Sequence, residues 1–127
     1  MRIAVCDDNR IILNEISEML EEYLEKSKIK ASYYCFESYN DISGRTDDFD
    51  LFLLDYRMDD FSAKSNEPNG MEFAKVLREK YGNSKTVIFI TAYPEIVYDS
   101  FEVRAYRFLT KPIVKEKLFK AIDDYLA

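Results

Sequence analysis

Four strand-like runs, each ending at a polar or charged residue, constrain the fold of this chain more than any other feature. The runs are Ile3 to Cys6, Leu51 to Leu54, Val87 to Ile90 and Ala105 to Leu109. Wholly apolar runs such as the first three are typical of strands with both faces buried, as in a parallel sheet covered by helices. Amphipathic stretches with helical spacing separate the runs, which predicts strands and helices in alternation.

The predicted elements together define an α/β domain. The strands are predicted at residues 3–6, 31–36, 50–55, 86–90 and 104–109. Helices are predicted around 12–24, weakly within 37–49, at 71–81 and at 118–126, with a further short helix starting near Pro94. Short connections favour a flavodoxin-like (CheY-like) doubly wound sheet of five parallel strands, order 2-1-3-4-5, with helices on both faces. The 127 residues suit one domain, residues 1–127.

Composition excludes several classes of function. A net charge of -6 argues against binding of this domain to the phosphate backbone of nucleic acids. No run approaches the roughly 18 apolar residues of a membrane span, and no secretory segment precedes the first strand, so a cytoplasmic protein is expected. The chain has no histidine, which excludes histidine catalysis and histidine-ligated metals. Cys6 and Cys35 both lie in strand-like runs and are expected to be buried, reduced thiols.

The residues that end the strands are expected to form one site. They are Asp7, Asp8, Asp55, Thr91 and Lys111. The carboxyl ends of parallel strands meet at one edge of the sheet, where such sheets bind ligands. Three neighbouring carboxylates repel one another unless a cation is present, and Mg²⁺ prefers such oxygen ligands. Asp55 is the candidate nucleophile for an aspartyl-phosphate, with the ammonium and the hydroxyl available to the phosphoryl oxygens.

Each of these residues also has an ordinary structural explanation. The acidic pair, followed by Asn9, could cap the first helix, and Asp55 could be a turn residue. Thr91 ends a strand, where threonine is common, and Lys111 is a lysine before a loop proline. A functional site is nevertheless favoured over these separate explanations, because all four strand ends carry the residue types that cation and phosphoryl binding require.

With these residues, the chain resembles the receiver domains of two-component response regulators. The resemblance runs from Arg2-Ile3-Ala4-Val5-Cys6-Asp7-Asp8 to the last helix. It implies that Asp55 is the phospho-accepting aspartate. It also implies that Asp7 and Asp8 bind Mg²⁺, with the backbone carbonyl of Arg57 as a further ligand.

The resemblance assigns the switch residues as well. Thr91 matches the switch hydroxyl, Lys111 the phosphate-pairing lysine and Phe108 the switch aromatic, a position where tyrosine is more frequent. Plain core packing is the alternative role for Phe108. The segment from Ala92-Tyr93-Pro94 to Thr110-Lys111-Pro112 is most similar to receivers attached to LytTR-type DNA-binding domains.

The resemblance also implies partners. The phosphoryl donor is expected to be a phosphohistidine of a sensor histidine kinase. The domain is expected to be a switch rather than an enzyme, and to catalyse only its own phosphorylation and slow dephosphorylation. The domain is expected to control transcription. DNA would be bound only by an output domain that these residues do not include. A homodimer through the face of the fourth helix and fifth strand is possible. Five residues are expected on that face: Ile96, Val97, Phe101, Val103 and Tyr106.

The loop beside Asp55 departs from the family pattern. Met58 is followed by Asp59 where the family usually has a proline nearby, and Gly70 lies further from Asp55 than the matching glycine does. The segment 59–68 therefore contains an insertion. It is either a tolerated surface loop or one that shapes access for the kinase or for hydrolytic water, with Asp59 and Asp60 near the metal.

Three other interpretations stay open. One is a Mg²⁺-dependent phosphohydrolase, which would need an acid two residues after the nucleophile, where Arg57 stands. Another is a phosphorylation-independent pseudo-receiver that acts as an interaction module, which the intact set of site residues disfavours. The third is a stand-alone, single-domain regulator instead of a receiver excised from a longer protein.

Overall fold

The computed structural model describes residues 1–56, 70–92 and 101–127. Five parallel strands form one sheet in the order β2-β1-β3-β4-β5. They are β1 (Arg2–Cys6), β2 (Ser32–Phe36), β3 (Leu51–Asp55), β4 (Thr86–Thr91) and β5 (Arg107–Thr110). The helices are α1 (Arg10–Ser27), α2 (Tyr39–Ser43), α3 (Gly70–Tyr81) and the C-terminal helix (Lys115–Leu126), with 3₁₀ turns at Thr46–Asp48 and Phe101–Val103. The predicted sheet and its strand order are confirmed.

The central strands are apolar along most of their length because helices cover both faces of the sheet. Successive side chains of a strand point to opposite faces. Ile3 and Val5 of β1 therefore enter a core shared with α1 and the C-terminal helix. Ala4 and Cys6 enter a second core, shared with α2 and α3. The uninterrupted apolar runs thus reflect two cores filled by alternate residues of the same strands.

Local signals mark both ends of α1. The Asn9 side chain accepts hydrogen bonds from the backbone N–H groups of Ile11 and Ile12 at the N-terminus. Lys28, with a left-handed φ of 57°, ends the helix and donates its N–H to the Leu24 carbonyl. The helix cap is therefore Asn9, so capping does not explain the acidic pair that precedes it.

The prediction that both cysteines are buried is wrong for Cys35. Cys6 is buried in β1, whereas Cys35 is exposed in β2, and both are free thiols. The reason is the position of β2 at the edge of the sheet, where it pairs with β1 on one side. Its residues are intermediate or exposed, in contrast to the fully buried β3.

The fifth strand begins later than predicted, at Arg107 rather than at residue 104. The 3₁₀ turn at Phe101–Val103 and a left-handed Arg104, with φ of 51°, turn the chain before it joins the sheet. The Tyr106 N–H then donates to the Val87 carbonyl at 2.8 Å, which starts the pairing with β4.

Several predictions lie outside the described residues. They concern Arg57, the inserted segment 59–68 and the short helix near Pro94 with Ile96 and Val97. Among the helices that the structure describes, none combines the length and apolar character needed to cross a membrane.

Candidate functional site

The polar residues singled out in the sequence lie at the carboxyl edge of the sheet. β3 ends at Asp55 and β4 at Thr91, while Asp7 directly follows β1 and Lys111 directly follows β5. Because the strands are parallel and β1, β3, β4 and β5 are successive neighbours, these positions share one edge. The Lys111 N–H donates to the Thr91 carbonyl at 2.8 Å, which holds the lysine beside the end of β4.

Asp7, Asp8 and Asp55 form an acidic cluster. One carboxylate oxygen of each residue lies within 4.8 Å of those of the other two. Asp7 and Asp55 are only 1% and 4% exposed, whereas Asp8 is exposed. The Asn9 N–H donates to Asp7 Oδ1 at 2.8 Å and holds that carboxylate in place. The cluster therefore joins two buried carboxylates to one that faces solvent.

The Lys111 ammonium bridges the two buried carboxylates. Its Nζ atom lies 2.9 Å from Asp7 Oδ2 and 3.3 Å from Asp55 Oδ1. Burial lowers the pKa of Lys111, but the hydrogen bond to Asp7 and the charges of Asp55 and Asp7 outweigh burial, so its pKa is raised. The lysine is therefore charged at neutral pH and partly offsets the charge of the cluster.

Burial and charge repulsion raise the pKa of the two buried carboxylates, Asp7 and Asp55. Burial raises the pKa of Asp55 to about 7; the charge of Asp7 also raises it, and Lys111 opposes both effects. Burial is also the largest cause that raises the pKa of Asp7. The charge of Lys111 thus does not cancel these effects, and the carboxylate oxygens of the site are the ligands that hard divalent cations prefer.

Thr91 and Phe108 lie on the same face of the sheet. Thr91 is fully buried at the end of β4. In the register of β4 and β5, Phe89 pairs with Phe108 and Thr91 with Thr110, and alternate residues share a face. Phe108 is partly buried and packs against the core beside α3. The hydroxyl and the aromatic ring therefore border the same layer of the molecule.

Sequence reasoning missed two contacts to the main chain at Asp55. Tyr39, fully buried at the start of α2, donates its hydroxyl to the Asp55 carbonyl. A Cβ atom on Gly70 would overlap the same carbonyl oxygen and lie 2.8 Å from the Cα of Tyr56. Tyr39 belongs to the region 37–49, whose pattern is weak, so no signal in the sequence pointed to it.

The chain matches a known family and relatives of known type. A family model described as the response regulator receiver domain matches residues 3–123. The sensory transduction protein LytT of Bacillus subtilis (strain 168) is 26% identical over 125 residues, which cover 98% of this chain and 48% of that protein. LytT of Bacillus anthracis is 25% identical over 125 residues, covering 98% of this chain and 47% of that protein. The chain spans about half the length of these curated relatives.

Solved structures with the same fold include receiver domains. The response regulator DrrB of Thermotoga maritima, an OmpR/PhoB homolog, superposes with a TM-score of 0.79 at 25% identity, covering 98% of this chain and 52% of that one. The BeF3-activated DrrB receiver domain superposes with a TM-score of 0.79 at 25% identity, and the match covers 98% of this chain and 96% of that one. A receiver domain from Clostridium thermocellum shares the fold, with a TM-score of 0.75 at 19% identity. The match covers 97% of this chain and 91% of that one.

Proposed function

This chain belongs to the family of response regulator receiver domains, and from that membership we propose that Asp55 is the residue that accepts the phosphoryl group. Receiver domains of two-component response regulators are phosphoryl-accepting switches. The observation that carries the assignment is the surroundings of Asp55: two further carboxylates within 4.8 Å and the Lys111 ammonium at 3.3 Å. A carboxylate nucleophile thus lies beside both a candidate cation site and a fixed positive charge.

We assign Mg²⁺ binding to the acidic cluster, with the main-chain carbonyl of Arg57 as a further ligand. The donor set supports this assignment, since carboxylate oxygens suit a hard cation. The raised pKa of Asp55 supports it too, because Lys111 alone does not offset the burial and the charge of Asp7 that disfavour the ionised carboxylate. When bound, Mg²⁺ supplies charge that offsets the carboxylates and the phosphoryl oxygens.

In the proposed transfer, an Asp55 carboxylate oxygen forms a bond to phosphorus. The bond between phosphorus and the imidazole nitrogen of the kinase's phosphohistidine breaks, and the nitrogen keeps the electron pair. Lys111, which contacts both Asp7 and Asp55 before transfer, moves from the Asp55 oxygen to a phosphoryl oxygen. The Thr91 hydroxyl donates a hydrogen bond to another phosphoryl oxygen.

The proposed switch links Thr91 to Phe108. Movement of Thr91 toward the phosphoryl group vacates space on the sheet face that also carries Phe108, and the ring turns into that space. The phosphoryl group can shift this equilibrium only by its difference in interaction with the two states. The partial burial of Phe108 is compatible with movement in either direction.

We propose a histidine kinase as the donor and an interface near the acidic cluster for its docking. Ile11 and Val114 are apolar side chains that are 69% and 46% exposed. Each lies three residues after a site residue, Asp8 and Lys111 respectively, so both flank the edge where transfer would occur. Apolar groups in such a position favour contact with a partner.

The output partners are also proposals. Control of transcription through a DNA-binding output domain follows from similarity to LytT, whose length is about twice that of this chain. For a homodimer through the β5 face, exposed Tyr106 is available, and its ring contacts Tyr125 at 6.3 Å between centroids. Val103 is 1% exposed and belongs to the core, so it does not contribute to that face.

We expect the protein to gain one phosphoryl group when incubated with acetyl phosphate and Mg²⁺. Intact-protein mass spectrometry measures the gain, and hydroxylamine should remove it because an acyl phosphate is labile to this nucleophile. Continuous release of phosphate over many turnovers would indicate a phosphohydrolase instead. Absence of both labelling and beryllofluoride binding would indicate a pseudo-receiver and contradict the proposal.

We also expect the stability of the metal-free protein to fall as pH rises from about 5 to about 8, by on the order of 2 kcal/mol. The pKa of Asp55 is about 7 in the folded state, above its ordinary value of 3.8. Between these values the folded state binds more protons than the unfolded state, so raising the pH favours unfolding.

Added Mg²⁺ should recover the lost stability at the higher pH and have little effect at the lower pH, where protons compete with the cation. Thermal unfolding in EDTA and in Mg²⁺ measures both effects. A shift in melting temperature by Mg²⁺ of the same size at both pH values would contradict cation binding by these carboxylates.

A further inference from the structure

The main-chain carbonyl of Asp55 is held by a side chain that has no part in the scheme above. Tyr39 is the first residue of α2, and its fully buried hydroxyl donates to this carbonyl. We propose that Tyr39 is a positioning residue for phosphoryl transfer, which orients the Asp55 peptide and through it the carboxylate. This inference rests on the proposed role of Asp55 as the acceptor and adds a residue to that site.

The hydrogen bond from Tyr39 occurs where the β1–β3 ladder ends. The last pair between these strands is Cys6 with Leu54, so Asp55 lies one residue beyond it. The Asp7 N–H faces the other neighbouring strand and donates to the Phe36 carbonyl in β2 at 3.1 Å. A buried carbonyl needs a donor. The Tyr39 hydroxyl supplies one just beyond the last pair of the β1–β3 ladder.

The Tyr39 ring is itself fixed by α3. It stacks on Phe73, with 4.9 Å between ring centroids and 27° between the planes. Phe73 lies in the first turn of α3, whose first residue, Gly70, also lies close to the Asp55 carbonyl. Tyr39 therefore reaches the carbonyl from a rigid, packed position, and has little freedom to move away.

The backbone just after Asp55 is fixed from two further directions. The Tyr56 N–H donates to the Ile90 carbonyl at 3.1 Å, and the Tyr56 carbonyl accepts from the Gly70 N–H at 2.9 Å. The Asp55 carbonyl and the Tyr56 N–H belong to the same peptide group, so the Tyr39 hydroxyl holds the carbonyl end of the peptide whose N–H end is held by Ile90. With this peptide held at both ends, the backbone position from which the Asp55 carboxylate contacts Lys111 is fixed.

A purely structural role for Tyr39 makes a different prediction from a positioning role. If the hydroxyl only satisfies a buried carbonyl, its loss lowers stability but leaves the reaction rate of each folded molecule unchanged. If it positions the nucleophile, its loss lowers the maximal rate of labelling, because small displacements of reacting groups are costly. The donor concentration at half-saturation should not change, since Tyr39 does not contact the donor in this scheme.

The test uses Tyr39→Phe, which removes the hydroxyl and keeps the ring that stacks on Phe73. With acetyl phosphate and saturating Mg²⁺, at a temperature where circular dichroism shows full folding, we expect a maximal rate roughly 3- to 10-fold lower. The matched control is Tyr23→Phe. Tyr23 is also buried, and its hydroxyl donates to Asp123 at 2.6 Å between α1 and the C-terminal helix, away from the site. This control should label at the wild-type rate.

Replacement of Tyr39 by para-aminophenylalanine restores a weaker donor at the same place. Its labelling rate should lie between those of the wild type and Tyr39→Phe. If Tyr39→Phe does not fold, the amino variant alone still tests the inference, since a wild-type rate in that variant contradicts it. A wild-type rate for Tyr39→Phe, or an equal loss in Tyr23→Phe, would also overturn the inference. Failure of the wild-type protein to label on Asp55 would instead overturn the proposed function.

Discussion

Asp55→Asn is expected to abolish labelling by acetyl phosphate while the protein stays folded. An amide is a poor nucleophile and forms no acyl phosphate, so the label should fall to background. The substitution also removes a buried carboxylate whose pKa burial raises to about 7. The variant should therefore melt at a higher temperature than the wild type in EDTA near neutral pH, because the unfavourable buried charge is gone.

The matched control for this prediction is Asp50→Asn. Asp50 directly precedes β3, at the end of the strand opposite Asp55. Its side chain accepts the Arg2 N–H at 2.9 Å, and an asparagine oxygen can still accept that bond. Asp50→Asn should label as the wild type does. Full labelling of Asp55→Asn would instead transfer the acceptor role to another carboxylate, for which peptide mapping would give the position.

Gly70→Ala is expected to destabilise the protein by roughly 2–4 kcal/mol. The added Cβ would overlap the Asp55 carbonyl oxygen and lie 2.8 Å from both the Cα and the carbonyl oxygen of Tyr56. These are backbone atoms, so either the start of α3 or the end of β3 must move. The gain in helix propensity, about 1 kcal/mol, is too small to compensate.

This clash should also slow labelling, because it displaces the peptide that carries the proposed acceptor. Thermal unfolding and the labelling rate of folded protein measure the two effects separately. Gly44→Ala is the matched control, since its Cβ would meet nothing within 4 Å and its φ of −87° suits alanine. A melting temperature for Gly70→Ala equal to that of the Gly44→Ala variant would contradict the close approach of α3 to β3.

The sheet could be predicted from the sequence because its central strands are buried on both faces. Burial on both faces demands apolar residues along the middle of β1, β3 and β4, and such runs are visible without a structure. The family resemblance drawn from the polar strand ends is confirmed by the matching family model. The roles of the individual site residues stay predictions, which the labelling experiments above address.

The predictions that failed concern places where local pattern and tertiary position disagree. Cys35 lies in an apolar run but on an edge strand, where one side lacks a neighbouring strand to cover it. β5 starts later than its pattern predicts, because Ala105 and Tyr106 fit a strand pattern but the left-handed Arg104 delays entry into the sheet. In both cases the sequence pattern alone does not report how the neighbouring segments are arranged.

By itself, the sequence determined the parallel sheet and which residue types meet at its edge. Buried strands require runs of apolar residues, which are visible in the sequence. The polar residue after each run then lies at the carboxyl end of the strand. Only the tertiary structure decided that Tyr39 and Gly70 meet the Asp55 carbonyl, and that Lys111 bridges Asp7 and Asp55. Such contacts join residues far apart in sequence, and their distances depend on how α2, α3 and β5 pack on the sheet, which no local pattern encodes.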